Sequence, residues 1–198
     1  MNIGLYFGSF NPVHSGHLII ASYLADNTNL DEIWIMVSPQ NPLKRAPGLL
    51  NENHRYSLVQ LAVEGESKLK ASNAEFKLPR PTYTIDTLVY LDEKYPHHYF
   101  SVIMGSDSFR NIERWKNYKQ ILNGYNIYIY IRPGYPVDPP QGNNINILNA
   151  PLLDISATFI RKNIREKKSI RYLVPENVKE EIERMNFYGS ALENPPEQ

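Results

Sequence analysis

Apolar and polar residues follow one another along this chain in two patterns. Short, nearly continuous apolar runs such as Glu32–Val37 are typical of strands that are buried on both faces of a parallel sheet. Longer segments place apolar residues three or four positions apart, as in the stretch from Glu52, and these predict helices. Clusters of glycine, proline and asparagine between the two kinds of segment indicate turns.

The two patterns alternate through most of the sequence. They predict a first strand that begins at residue 3 and further strands at 32–37, 70–78, 98–105, 125–131 and 145–148. They predict helices at 17–25, from 52, from an N-cap at 84, from 106 toward 115 and, after a break, at 118–122, at 158–167 and at 175–185. This alternation predicts an α/β fold with a doubly wound, mostly parallel open sheet. Residues 1–190 are expected to form a single domain, and 191–198 a flexible tail.

Composition narrows the function classes. The 198 residues suffice for one domain with a sizeable core, and 21 basic residues balance 21 acidic ones. Because this balance gives no overall attraction to nucleic acid or membranes, neither is predicted as a partner. The absence of cysteine excludes disulfides, a thiolate nucleophile and a cysteine zinc site. The apolar runs are short, so a cytoplasmic location is expected, and the oligomeric state is left open.

The first candidate site follows the first predicted strand. A loop at Gly8–Pro12 leads into the first predicted helix, with His14 and His17 at its start. Free backbone N–H groups and the helix dipole favour a phosphate at such a place. A ring N–H of either histidine can donate to a phosphate oxygen, and Gly16 lets a nucleotide approach the backbone. A capped helix with two surface histidines is the alternative interpretation.

A second candidate site precedes the helix predicted at 158–167. Ser156 and Thr158 supply hydroxyl groups where backbone N–H groups are free, and Arg161 follows within the first helical turns. The lysines further along that helix fit a solvated face. Two phosphate sites on separate loops suit a triphosphate or a phosphoryl transfer better than a dinucleotide.

Both segments resemble signatures of one enzyme superfamily. Residues 8–17 are similar to the Gly-x-Phe-x-Pro-x-His-x-Gly-His signature of nucleotidyltransferases, and 155–161 to their second signature, Ile-Ser-x-Thr-x-Ile-Arg. Further similarities, at 82–88, 105–107, 132–134 and 172–175, are those of bacterial nicotinate-nucleotide adenylyltransferases. The resemblance covers nearly the whole chain and implies a Rossmann-like nucleotidyltransferase fold.

The resemblance also implies a reaction. ATP and nicotinate mononucleotide would give deamido-NAD and pyrophosphate in NAD biosynthesis, with Mg²⁺ bound to the ATP and no metal site of the protein's own. The attacking 5′-phosphate is largely dianionic at pH 7, since its second pKa is about 6, and therefore needs no general base. Catalysis would then depend on in-line positioning and on neutralising the phosphate charge.

The same resemblance assigns roles to residues. Catalysis is expected from His17 at the α-phosphate, from His14 at the outer phosphates, and from Lys44 and Arg161. ATP binding is expected from Gly8, Ser9, Phe10, His14, Gly16, His17, Gly105, Asp107, Ser156, Thr158 and Arg161. Binding of the nicotinate nucleotide is expected from Tyr83, Thr84, Trp115 and Arg132. Relatives often carry Pro-His-Lys where this chain has Pro-Leu-Lys at 42–44, so Leu43 is given no role.

Several alternatives stay open at this point. Asp107 could contact a ribose or could cap a helix. The rings of Tyr83 and Trp115 could stack on a ligand or could fill a hydrophobic core. Nicotinamide mononucleotide or phosphopantetheine could replace the nicotinate nucleotide, because the preference for the acid follows from the resemblance and not from chemistry. A regulator that holds ATP without turnover is the alternative from another class. The presence of both histidines disfavours a regulator, which needs no α-phosphate donors.

Overall fold

The centre of the fold is one parallel sheet. The computed structural model describes residues 1–40, 48–137 and 144–189. Its strands are β1 Asn2–Gly8, β2 Glu32–Val37, β3 Leu69–Ser72, β4 Tyr99–Gly105, β5 Asn126–Tyr130 and β6 Ile145–Leu148. They lie in the order β3-β2-β1-β4-β5-β6, and all these pairings are parallel. Because the order reverses between β1 and β4, a ligand crevice is expected there, at the carboxyl ends of the strands.

Helices cover both faces of this sheet. They are α1 Ser15–Asn27, α2 Glu52–Ala62, α3 Thr84–Lys94, α4 Ser106–Phe109, α5 Tyr118–Gly124, α6 Ala157–Arg165 and α7 Glu176–Arg184. One core packs Leu24 of α1 and Leu58 of α2 together with Val178 of α7. The other core, on the opposite face, contains Leu88 of α3 and Ile121 of α5. The predicted doubly wound α/β fold is confirmed.

Within the described part of the chain, no helix is long and apolar enough to cross a membrane.

The third predicted strand is too long. The strand β3 ends at Ser72, and a 3₁₀ turn at Ala74–Lys77 follows where the sequence predicted further strand. The turn buries the carboxylate of Glu75, which accepts hydrogen bonds from the hydroxyl groups of Thr82 at 3.2 Å and Thr87 at 2.9 Å. These long-range bonds satisfy a buried charged group, and the local pattern of residues does not reveal them.

Two predicted helix ends also differ. Thr84 is the first residue of α3 and not its N-cap, which is Tyr83 and makes no side-chain capping bond. The helix predicted from 106 toward 115 stops at Phe109 and resumes as a 3₁₀ turn at Ile112–Arg114. The break has a local cause, since the side-chain amide of Asn111 donates to the carbonyl of Asp107 over 3.0 Å, a carbonyl that a continuing helix would use.

Candidate active site

The loop between β1 and α1 turns sharply beside the last residue of β1. Phe10 has a φ of +44°, in the left-handed region, and its ring lies against Gly8. A Cβ on Gly8 would lie 2.7 Å from that ring, so a larger residue does not fit without displacing it. The buried Phe10 ring also meets the ring of His17 edge-on, at 4.9 Å between ring centres. Gly8 and Phe10 therefore fix the position of His17.

The two histidines stack on each other at the start of α1. Their ring centres are 3.6 Å apart, and their planes are 21° from parallel. The backbone N–H of His14 donates to Nδ1 of His17 over 3.3 Å, so the ring hydrogen of His17 is on Nε2. Gly16 makes room for this arrangement, because a Cβ there would lie 3.2 Å from two atoms of the His14 ring. The loop thus presents the Nε2–H of His17 as a donor.

Both histidines are neutral at pH 7. Burial lowers the pKa of His14 from 6.5 to about 4, and the positive charge of Arg132 adds to this effect. Burial also lowers the pKa of His17 well below its ordinary value, as do His14 and Arg132. Nδ1 of His14 is buried and has no hydrogen-bond partner among the described residues.

This low pKa predicts a loss of stability in mild acid. The unfolded chain protonates His14 near pH 6.5, whereas the folded chain does so only near pH 4. The free energy of unfolding should therefore fall between those pH values, by up to about 3 kcal/mol from His14. Urea unfolding of the wild type and of His14→Gln from pH 7 to 4 measures this, because the variant should lose less stability. Parallel curves for the two proteins would contradict the prediction.

Arg161 joins the second predicted phosphate site to the first. Ser156 caps α6, since its hydroxyl oxygen accepts from the backbone N–H of Phe159 over 3.1 Å. The guanidinium of Arg161 donates to the carbonyl of Asn11 over 2.7 Å and to the hydroxyl of Thr158 over 3.2 Å. The β1–α1 loop and the start of α6 therefore meet at one place in the fold, although the sequence separates them widely.

A buried arginine that the sequence interpretation missed connects three segments around the site. Arg55 in α2 is 0% exposed. It donates to the carbonyl of Ser9 over 2.5 Å, of Ser38 over 2.8 Å, of Pro39 over 3.0 Å and of Leu50 over 2.7 Å. Burial lowers the pKa of its guanidinium from the ordinary value. Arg55 thus holds the loop after β1 to the segment after β2 and to Leu50, which precedes the N-cap of α2.

Arg55→Lys is expected to lower the free energy of unfolding by about 3 kcal/mol. An ammonium group cannot reproduce the planar set of donors, so buried carbonyl groups would lose their partners. Urea unfolding measures the change. Arg184→Lys, at an exposed ion pair in α7, is the matched control and should stay within about 0.5 kcal/mol of wild type. Equal effects of the two substitutions would show that the four bonds of Arg55 do not stabilise the fold.

A cavity of about 450 Å³ opens beside the β1–α1 loop. Its lining includes seven of the predicted site residues, namely Gly8, Ser9, Tyr83, Thr84, Gly105, Asp107 and Trp115. Tyr6 also lines it, and the ring of Tyr6 meets that of His17 edge-on at 6.2 Å. The lining does not include Phe10, His14, Gly16, His17, Arg132, Ser156, Thr158 or Arg161, and only the contact with Tyr6 connects His17 to the cavity wall. Lys44 lies outside the described residues, so its role stays a prediction.

An ion pair stands at the β4 side of the cavity. Nη1 of Arg132 lies 3.5 Å from Oδ2 of Asp107, and its guanidinium lies 5.7 Å from the centre of the Tyr130 ring. Asp107 is not an N-cap, because Gly105 occupies that position of α4 and no side-chain bond caps the helix. A Cβ on Gly105 would collide with the carboxylate of Asp107. The glycine therefore lets this carboxylate fold back toward the cavity.

Glu75 is a second residue that the sequence interpretation missed. It lines the cavity and is only 2% exposed. Burial raises the pKa of its carboxyl group, while hydrogen bonds from Ser38, Thr87 and Thr82 oppose the rise. Glu75 thereby ties the segment after β2 to the start of α3, on the side of the cavity where Tyr83 and Thr84 lie.

Comparison with known proteins decides the family. The cytidylyltransferase-like family model matches residues 5–163. A relative from Flavobacterium psychrophilum, named probable nicotinate-nucleotide adenylyltransferase, is 49% identical over 95% of this chain and 99% of its own length. A relative of the same name from Cytophaga hutchinsonii is 47% identical over 96% of this chain and 100% of its own length. The chain belongs to the nicotinate-nucleotide adenylyltransferase family. The resemblance to nucleotidyltransferases, and among them to nicotinate-nucleotide adenylyltransferases, is thereby confirmed.

Two solved structures share the fold of this chain. The Plasmodium falciparum nicotinic acid mononucleotide adenylyltransferase complexed with NaAD superposes with a TM-score of 0.79 and 21% identity, over 94% of this chain and 97% of that one. The same enzyme complexed with APC gives a TM-score of 0.78 and 20% identity, over 94% and 96%. At these identities the similarity concerns the fold, and it confirms the Rossmann-like arrangement expected of the family.

Proposed function

We propose that this chain transfers the adenylyl group of ATP to nicotinate mononucleotide, giving nicotinate adenine dinucleotide (deamido-NAD) and pyrophosphate in cytoplasmic NAD biosynthesis. The observation that supports the proposal is the bond from Arg161 to the carbonyl of Asn11, because it joins the second predicted phosphate motif to the loop whose Gly8 and Ser9 line the cavity. Membership of the nicotinate-nucleotide adenylyltransferase family supports the choice of both substrates.

The proposed reaction is a direct attack of one phosphate on another. An oxygen of the mononucleotide's 5′-phosphate bonds to the α-phosphorus of ATP, and the bond from that phosphorus to the oxygen shared with the β-phosphate breaks. Pyrophosphate leaves with the electron pair of the broken bond. The attacking phosphate is already largely dianionic at pH 7, so no proton has to be removed. The low pKa values of His14 and His17 fit this, since they make both rings poor bases.

The histidines are proposed to act as hydrogen-bond donors. The Nε2–H of His17 would donate to the α-phosphate, where negative charge increases as the new bond forms. His14, one helical turn away and stacked on His17, would donate to the β- and γ-phosphates. Because both rings are neutral in the free protein, the positive charge has to come from elsewhere.

Positive charge at the outer phosphates is proposed to come from Arg161 and Lys44. Arg161 is already held at the β1–α1 loop by its bond to Asn11, so little ordering is needed when ATP binds. The hydroxyl of Thr158 and the free backbone N–H groups at the start of α6, which Ser156 caps, would add neutral donors.

The ion pair at the β4 side is proposed to contact the sugar and the second phosphate. The carboxylate of Asp107 can accept hydrogen bonds from ribose hydroxyl groups of ATP, and Gly105 leaves the space in which this carboxylate lies. Arg132 is proposed to bind the phosphate of the nicotinate nucleotide, because its guanidinium is held 3.5 Å from the carboxylate of Asp107, which lines the cavity.

The nicotinate ring is proposed to lie at the aromatic end of the cavity. Trp115 is half-buried there and offers a stacking surface, as does Tyr83. Thr84 begins α3, so its backbone N–H is one of the helix's unpaired donors and can bind a carboxylate.

The metal ion is proposed to arrive with the substrate. Enzymes of this family act on ATP with a divalent ion, and we propose Mg²⁺ bound by the phosphates of ATP. In the described part of the chain, no group of three or more His, Asp or Glu side chains is arranged to hold a metal ion. The chain's own contribution would be to orient the triphosphate of Mg-ATP with the residues named above.

A comparison of three acceptors tests the proposal. The protein is incubated with Mg-ATP and nicotinate mononucleotide, nicotinamide mononucleotide or phosphopantetheine, and pyrophosphate release is measured. We expect the fastest release with nicotinate mononucleotide. Faster release with the amide or with phosphopantetheine would change the assigned acceptor, and release with none of the three would favour a regulator that only binds ATP.

A further inference from the structure

A lysine stands at the aromatic end of the cavity, where the sequence interpretation assigned nothing. Lys116 lines the cavity beside Trp115, and its ammonium nitrogen lies 5.0 Å from the centre of the Tyr83 ring. Asp86, in the first turn of α3, holds this nitrogen at 2.8 Å from both of its carboxylate oxygens. Although 44% of the Lys116 side chain is exposed, the ion pair and the ring give its charge a defined position.

We infer that Lys116 selects the acid over the amide form of the mononucleotide. The inference rests on the proposed function, in which the pyridine ring lies against Trp115 or Tyr83. An ammonium group has three N–H donors, and Asp86 faces it from outside the cavity lining. A donor on the cavity side can then bind the carboxylate of nicotinate as a charge-assisted hydrogen bond. The neutral amide gains no comparable attraction.

Asp86 sharpens this selection. It lies close to the ring's expected position, so its negative charge would repel a nicotinate carboxylate if it were unpaired. Lys116 neutralises that charge in the wild type. Without Lys116, the charge of the same carboxylate would disfavour the acid, while the neutral amide would be little affected. Removal of the lysine should therefore weaken the acid and leave the amide nearly unchanged.

The ratio of kcat/KM for nicotinate mononucleotide to kcat/KM for nicotinamide mononucleotide tests the inference, measured as pyrophosphate release with saturating Mg-ATP. In Lys116→Met we expect this ratio to fall by about tenfold. This is near the smallest loss that is usual when a hydrogen bond to a charged group is removed. The fall should come mainly from the acid. In Lys116→Met combined with Asp86→Asn, part of the acid activity should return, because the repelling charge is gone.

Lys119→Met is the matched control, since Lys119 is an exposed lysine in α5 outside the cavity lining, and its ratio should equal that of wild type. An unchanged ratio in Lys116→Met, or an equal loss with both nucleotides, would overturn the inference while the wild-type activity still supported the proposed function. A wild-type protein inactive with both nucleotides would overturn the two together. Thermal unfolding of each variant checks that the fold is retained.

Discussion

Replacing His17 by alanine is expected to lower kcat by at least about a hundredfold while the protein stays folded. The substitution removes the Nε2–H donor proposed for the α-phosphate, a group whose bond strengthens as charge develops in the transition state. The fold should survive, because His17 is only half-buried and the loop is also held by Arg55 and Arg161. Steady-state pyrophosphate release gives kcat, and thermal unfolding gives the stability.

Two further variants test whether the effect on kcat comes from the N–H donor at position 17 and not from the loss of any histidine. His97→Ala changes an exposed histidine between α3 and β4 and should leave kcat unchanged. His17→Gln keeps an N–H donor near the same place and should recover part of the activity. If His17→Ala lowers kcat less than about tenfold, His17 positions the loop and does not act on the α-phosphate.

Replacing Arg161 by methionine is expected to lower kcat/KM for ATP by about a hundredfold. The substitution removes a positive charge proposed for the outer phosphates and also the bond that holds Asn11 to α6. Arg161→Lys keeps the charge but loses the paired contacts to Asn11 and Thr158, so an intermediate loss is expected. Initial rates at varied ATP concentration measure these effects.

Arg165→Met is the matched control for that series, because Arg165 lies one turn further along α6 and is exposed. It should retain wild-type kcat/KM. If Arg161→Lys loses as much as Arg161→Met, the position of Asn11 matters more than the charge. If neither variant loses activity, the two motifs meet without forming a phosphate site.

The sheet could be predicted from the sequence because its strands are buried on both faces. The run Glu32–Val37 is nearly all apolar and was predicted with the same bounds that the structure shows. The strand–turn–helix around Gly8–Pro12 could be predicted for a related reason, since glycine and proline there separate an apolar strand pattern from an apolar helical run. In each case the information is local in the sequence.

What the sequence did not reveal depends on contacts between distant segments. Arg55 reads as an ordinary charged residue in a helix, yet it bonds to carbonyl groups of the loops after β1 and β2. Glu75 reads as part of a strand, but the hydroxyl groups of Thr82 and Thr87 hold it in a buried turn. Gly16 was expected to admit a ligand, which stays a prediction, whereas the structure shows that it makes room for the His14 ring.

The products of a single incubation test the central claim most directly. The protein is mixed with unlabelled Mg-ATP and with nicotinate mononucleotide that carries ¹⁸O in its phosphate group. The masses of the products are then measured by mass spectrometry. Attack by that phosphate on the α-phosphorus predicts equal amounts of nicotinate adenine dinucleotide and pyrophosphate, with the label in the dinucleotide and none in the pyrophosphate. Absence of the dinucleotide, or label in the pyrophosphate, would contradict the account.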